Sequence, residues 1–102
     1  MSGVTARGAQ AHGAREQARE IFARVERMLE AAGGGLRNVY KLVIYVTDIA
    51  FKDDINAARA ETFRRHFPAS TLVAVNGFAF PELLVEIDAF ANLDVDMWAV
   101  TP

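Results

Sequence analysis

The segment Val39 to Thr47, VYKLVIYVT, most restricts how this chain can fold. Its β-branched and aromatic residues predict a strand. Side chains of a strand alternate between two faces. Here both faces are apolar, with Tyr40, Leu42, Ile44 and Val46 on one and Val43 and Tyr45 on the other. One face can pack on helices. The other asks for a further cover, which a lone two-layer domain does not provide. Further copies of the chain are the expected cover.

The stretch Phe67 to Ala91 predicts two more strands. The first, Thr71 to Val75, follows a Pro-Ala-Ser corner. Asn76-Gly77 and Pro81 mark the turn that joins it to the second, as turn chemistry expects. The second, Leu83 to Ala91, alternates. Leu83, Val85, Ile87, Ala89 and Ala91 share one face; Leu84, Glu86, Asp88 and Phe90 share the other. Two carboxylates therefore sit beside Leu and Phe on one face.

Two helices complete the pattern. Ala14, Ala18, Ile21, Phe22, Val25, Met28, Leu29 and Ala32 recur at helical spacing over Ala14 to Ala32. The charged residues between them read as a solvated face, with Glu20 and Arg24 a favourable pair four apart. Gly33-Gly34-Gly35 follows this helix. A phosphate-cradling loop must precede one, so these glycines read as a C-cap and linker. The second helix spans roughly Phe51 to His66, buried through Ile55, Ala58, Thr62 and Phe63. Asp48, Asp53 and Asp54 suit its N-terminal dipole better than a metal. Arg59, Arg64, Arg65 and His66 read as surface. Met1 to Gly13 is loop, with a stub of strand at Ser2 to Ala6 or a disordered tail as alternatives.

The order is helix, strand, helix, strand, strand. It predicts one α+β, two-layer domain over 1–102, a mixed β-sheet with two helices on one face. The 52% hydrophobic content is high for so small a domain, so part of it is expected in a subunit interface. The formal net charge of −2 argues against nucleic acid as a partner. Absence of cysteine excludes disulfides, thiolate metal sites and thiol nucleophiles. His12 and His66 are single and not at ligand spacing, so no metal and no cofactor is expected. No apolar run reaches the ~18 residues of a membrane span. No signal-peptide core opens the chain. A cytoplasmic protein without a membrane partner is the expectation.

Pro68-Ala69-Ser70-Thr71-Leu72-Val73, then Pro81, then Leu84-Val85-Glu86-Ile87-Asp88-Ala89 resembles the C-terminal signature of the YjgF/RidA (YER057c, L-PSP endoribonuclease-like) family. Ser2-Gly3, Gln17-Ala18, Leu29 to Gly33, Tyr45-Val46-Thr47-Asp48, Asn56, Phe63 and Phe67-Pro68-Ala69 fit the same family in order and spacing. The resemblance runs from about Ser2 to Leu93. It implies a chorismate-mutase-like fold, here with the N-terminal strands partly missing. It implies a homotrimer with clefts between subunits, where the best-known members hydrolyse enamines and imines.

By that resemblance Glu86 matches the acid that handles the attacking water. Ser2, Gly3, Ser70 and Leu72 match cleft-lining positions. Main-chain N–H groups at Gly3 and around Thr71 are candidates to hold a ligand carboxylate or carbonyl oxygen. On its own spacing Glu86 reads rather as an interface or solvent-facing acid of an alternating strand, and Asp88 as a structural or interface partner; the resemblance sets the catalytic reading of Glu86 level with the other. Imine-hydrolysing members carry Arg after Pro-Ala to clamp a substrate carboxylate. This chain has Ser70, whose hydroxyl cannot supply the charge. Three readings follow. One is a hydrolase or deaminase of small enamine, imine or related C–N compounds. The second is a non-catalytic small-metabolite-binding or regulatory trimer. The third, more distant, is an L-PSP-type endoribonuclease.

Overall fold

The computed structural model describes residues 1–64 and 67–99. Arg65 and His66 lie outside the described residues, as do residues 100–102 of the tail. Helix α1 spans Ala14–Ala31 and buries Ala14, Gln17, Ala18, Ile21, Phe22, Val25 and Leu29. Met28 and Ala32, at the margin of the expected stripe, are exposed instead. The helix ends in two bonds that return to it, Gly34 N–H to Leu29 O at 2.8 Å and Gly33 N–H to Glu30 O at 3.1 Å. Gly33 sits at φ +88°, where an L side chain is strained. The predicted C-cap is therefore a Schellman turn.

Strand β1 spans Val39–Val46, helix α2 Lys52–Thr62, strand β2 Ala69–Ala74 and strand β3 Val85–Ala91. The sheet order is β2-β1-β3, parallel between β1 and β2, antiparallel between β1 and β3. Both helices pack on one face, which gives the α+β, two-layer arrangement expected. The second helix is shorter than its pattern suggested. A 3-10 turn, Ile49–Phe51, precedes it, and the Asp48 carboxylate caps that turn by accepting from Ala50 N–H at 2.9 Å.

The two C-terminal strands are not neighbours; β1 lies between them. The connection grips the end of β1 from both sides, through Val75 N–H to Val46 O at 2.8 Å and Thr47 N–H to Leu84 O at 3.1 Å. In β1, the register shifts between Val39 and Lys41. This bulge breaks the alternation, so Val39 is buried and Tyr40 turns out beside Phe90, ring centroids 6.5 Å apart. The helix-facing set is Val39, Leu42, Ile44 and Val46, joined by Val85, Ile87, Ala89, Ile55, Ala58 and Phe63. Phe22 of α1 meets Phe63 edge to face at 5.5 Å.

The N-terminal segment is a stub of strand, not a free tail. Val4 and Ile87 exchange backbone bonds at 2.9 Å, and Ala89 N–H donates to Met1 O at 2.8 Å. The segment thus lies along the outer edge of β3. Arg59, expected at the surface, is half-buried and sets its guanidinium 5.4 Å from the Phe67 ring. The tail is tied down too. Buried Asn38 donates to Val95 O at 2.8 Å and accepts from Gly35 N–H at 2.9 Å.

Gln17 is the polar group on which β3 is hung. Its amide nitrogen donates to Glu82 O at 2.9 Å and to Ala11 O at 3.3 Å; its oxygen accepts from Leu84 N–H at 2.8 Å. The residue is 1% exposed. Replacing it with leucine leaves those backbone groups without partners in a dry site. Gln17→Leu is expected to cost about 2–4 kcal/mol, read from equilibrium urea unfolding at one fixed protein concentration.

At the surface, Glu61 of α2 accepts from Arg19 of α1 at 2.8 Å and also pairs with Arg15. These bonds hold the Glu61 carboxyl down at about 2. A depressed carboxyl contributes stability above its unfolded value of about 4.3 and loses it as pH falls through the folded value. Melting temperature is expected to drop between pH ~4.3 and about 2. Glu61→Gln should flatten that part of the drop, and salt should shrink it, because the pair is exposed.

Candidate functional site

The face of the sheet away from the helices carries the candidate chemistry. In-register partners on neighbouring strands point the same way. Glu86 lies opposite Tyr45, and Tyr45 opposite Val73; Asp88 lies opposite Val43, and Val43 opposite Thr71. These six residues share one surface, with Tyr40, Lys41 and Phe90 at its far end. Within the described chain this surface has no cover: Tyr40 is 43%, Val73 40% and Phe90 39% exposed. The double apolar character read in VYKLVIYVT is therefore real, with the bulge transferring Tyr40 to the open side.

Gly3 completes the cluster. The N-terminal edge pairing carries its backbone over β3, at φ +65°. A Cβ on Gly3 would lie 3.8 Å from the Glu86 Oε1 atom, so the main chain comes close to that carboxylate. Gly3 N–H donates to Asp88 Oδ1 at 2.6 Å, and the Tyr45 hydroxyl donates to Asp88 Oδ2 at 3.0 Å. Asp88 thus has both oxygens engaged. Its bond to the phenol, with partial burial and the charges of Asp88 and Glu86, pushes the Tyr45 hydroxyl above its ordinary pKa.

The sequence-predicted residues divide between two faces. Gly3 meets Glu86, while Ser2, next to it in the chain, is exposed. Thr71 shares the open face with it. Ser70 and Leu72 pair with Leu42 and Ile44, so they point to the helix side, on the edge strand β2. Within one chain Ser70 and Glu86 face opposite ways. The Gly3 N–H, expected to hold a ligand oxygen, is taken by Asp88. Tyr45 and Asp88 are the members that sequence reasoning did not place in the site. Their signal was the shared parity of Glu86 and Asp88; the missing information was strand order. A separate cavity of about 470 Å³ lies on the helix side, lined by Arg19, Phe22, Leu36, Glu61, Arg64 and Trp98 among others. It contains none of the predicted site residues. His12 is exposed, and among the described residues no group of three His, Asp or Glu side chains is placed to hold a metal ion.

Tyr45 is expected to ionise above the usual phenol value of about 10, and Asp88→Ala to bring it back down. Because the folded value is raised, its contribution to stability is whole below pH ~10 and lost as pH rises through the folded value. Ultraviolet titration in a Tyr40→Phe background isolates the group. An ordinary Tyr45 titration in the parent would contradict the bond.

Comparison with known proteins bears on this arrangement. The family model described as Endoribonuclease L-PSP matches residues 2–93. A RutC family protein of Pyrococcus horikoshii is 32% identical over 77 residues, which cover 76% of this chain and 60% of that one. The chain thus spans about three-fifths of the length of the curated relatives it matches. Among solved structures, a protein of unknown function from Pseudomonas aeruginosa, PA3499, superposes with a TM-score of 0.95 at 50% identity, covering 99% of this chain and 78% of that one. Rv2704 of Mycobacterium tuberculosis, a member of the YjgF/YER057c/UK114 family, superposes with a TM-score of 0.82 at 34% identity, covering 89% and 75%. RidA from the Antarctic bacterium Psychrobacter sp. PAMC 21119 does so at 0.80 and 26%, covering 87% and 75%.

Proposed function

Since the chain belongs to the Endoribonuclease L-PSP family, that of the YjgF/RidA proteins, we propose that it hydrolyses small reactive enamines, imines or related C–N compounds in a cleft between copies of itself. The observation that carries this reading is the approach of the Gly3 main chain to Glu86 on an uncovered sheet face. The chemistry needs a base beside a bound C=N group. A water adds to the imine carbon, and the Glu86 carboxylate accepts its proton as the C–O bond forms. The imine nitrogen takes a proton from solvent in the same step. The resulting carbinolamine then expels the amine, its nitrogen protonated by the Glu86 carboxyl, while the hydroxyl proton returns to solvent and a carbonyl compound remains.

The proposed assembly is a homotrimer. Two observations support it: the open apolar face, and the edge strand β2, whose outer side has no partner among the described residues. Ser70 stands on that edge. A neighbouring copy is what would bring a β2 edge to a Glu86 face. One observation favours the second reading, a non-catalytic metabolite-binding or regulatory trimer: Ser70 supplies no cation to hold an anionic substrate. The endoribonuclease reading is weaker, because Glu86 and Asp88 on the open face repel a phosphate backbone.

The test times carbonyl release from 2-aminoacrylate, made from serine by a dehydratase, and from an uncharged imine of similar size. Acceleration is expected for at least one, and Glu86→Gln should slow it by about 100-fold or more. Ser70→Arg should raise the rate on 2-aminoacrylate. Light scattering should give the mass of three copies. No acceleration of either substrate, or acceleration that Glu86→Gln leaves intact, would reject catalysis. Ligand binding without turnover would favour the second reading, and a monomer would remove the shared cleft.

A further inference from the structure

We propose that Asp88 is a specificity-determining residue that turns the Glu86 site against carboxylate-bearing ligands and toward uncharged carbonyl and imine compounds. The inference rests on reading Gly3 and Glu86 as ligand-facing, and it names the ligand class of that site.

A carboxylate ligand needs donors or a cation. Two neutral donors stand beside Glu86, the Gly3 main-chain N–H and the Tyr45 hydroxyl. Both already donate to Asp88, at 2.6 Å and 3.0 Å. The chain therefore carries its own carboxylate where a ligand carboxylate would otherwise be received. Among the described residues, Lys41 and the Met1 amine are the cations placed near this face, and both are directed elsewhere. Lys41 Nζ lies 5.2 Å from the centre of the Phe90 ring, and the Met1 amine donates to Ala89 O at 3.0 Å. Phe90 is four residues beyond Glu86, roughly 13 Å along the strand. The position that follows Pro68-Ala69 is Ser70, without charge.

An incoming carboxylate would have to displace Asp88 from both donors. It would also add a negative charge next to Glu86 and Asp88, in a place partly shielded from water. An uncharged carbonyl or imine meets neither obstacle. It needs one proton donor and one acceptor, and the Glu86 carboxyl alternates between those roles. Asp88 does this without touching the reacting atoms. Its second consequence is mechanical: by holding Gly3 it keeps the main chain pressed to β3 beside Glu86.

The comparison of pyruvate with pyruvamide isolates charge, since the two have nearly the same shape. Isotope-labelled full-length protein is titrated with each, following the amide signals of Gly3 and Glu86. The wild type is expected to bind pyruvamide at least about tenfold more tightly than pyruvate, the scale of one like-charge contact at partial burial. Asp88→Ala frees both donors and should erase or invert that preference. Asp88→Asn keeps an acceptor for Gly3 N–H but loses the charge, so it should fall between and serves if the alanine variant does not fold. Equal affinities in the wild type, or a preference that survives both substitutions, would overturn the role of Asp88 and leave the site standing. Signals of Gly3 and Glu86 that respond to neither compound would reject the site itself, and the role of Asp88 with it.

Discussion

Everything in this fold hangs on β1 being central and covered on one side only. Val39, Leu42, Ile44 and Val46 are buried under two helices. Val43 and Tyr45, one residue out of phase, look away from them. Period-two alternation makes these assignments exclusive: a residue cannot serve both faces. The chain can complete the helix side from its own residues, and does so with Phe22, Ile55 and Phe63. Its described residues form no third layer for the other. The same geometry that builds the core therefore also presents a half-apolar surface, and the acids of β3 are placed on it.

The site depends on contacts distant in sequence. Gly3 reaches Asp88 because Met1 to Val4 runs along β3, and β3 is placed by Gln17 of α1. A buried amide bonded to Glu82 O and Leu84 N–H fixes where β3 begins, and hence which residues face outward. A slip of one residue would turn Glu86 and Asp88 into the core and Ile87 out of it. Gln17 is thus a constraint on register as well as a source of stability. The positive φ at Gly3 lets the backbone pass the Glu86 carboxylate without a side chain between them.

The helix α1, its glycine stop and the alternation of β3 were legible in the sequence, because each is a local pattern with a local cause. The two-faced character of β1 was legible as well, and its consequence, an uncovered face, followed. What was not legible is non-local. Nothing within VYKLVIYVT announces the bulge that turns Tyr40 outward; it arises from pairing with Phe90 and Ala91. Nothing in FPASTLVAVNGFAFPELLVEIDA says that β1 separates the two strands it contains. Gln17 was legible only as part of the Gln17-Ala18 family match, not as a buried anchor, since its partners lie 65 and 67 positions away. Of the site, Glu86 and Gly3 were legible through the family pattern. The bond that occupies Gly3 N–H was not, because an acid two residues from Glu86 reveals its partner only once Gly3 is laid beside it.

Ser70 and Glu86 belong to opposite faces of one sheet, which decides what kind of site they can share. Side chains fixed on opposite sides of a three-stranded sheet cannot converge on one small molecule without unfolding it. A ligand that touches both must lie where the edge of one sheet meets the face of another. The β2 edge has no partner strand and the open face has exposed Tyr40, Val73 and Phe90, so each is left incomplete within the described residues. The proposed assembly would cover the apolar side chains and bring a Ser70 to a Glu86 in one step. The cleft and the subunit contact would then be a single structural event, and a substitution that weakened the contact would remove the site with it.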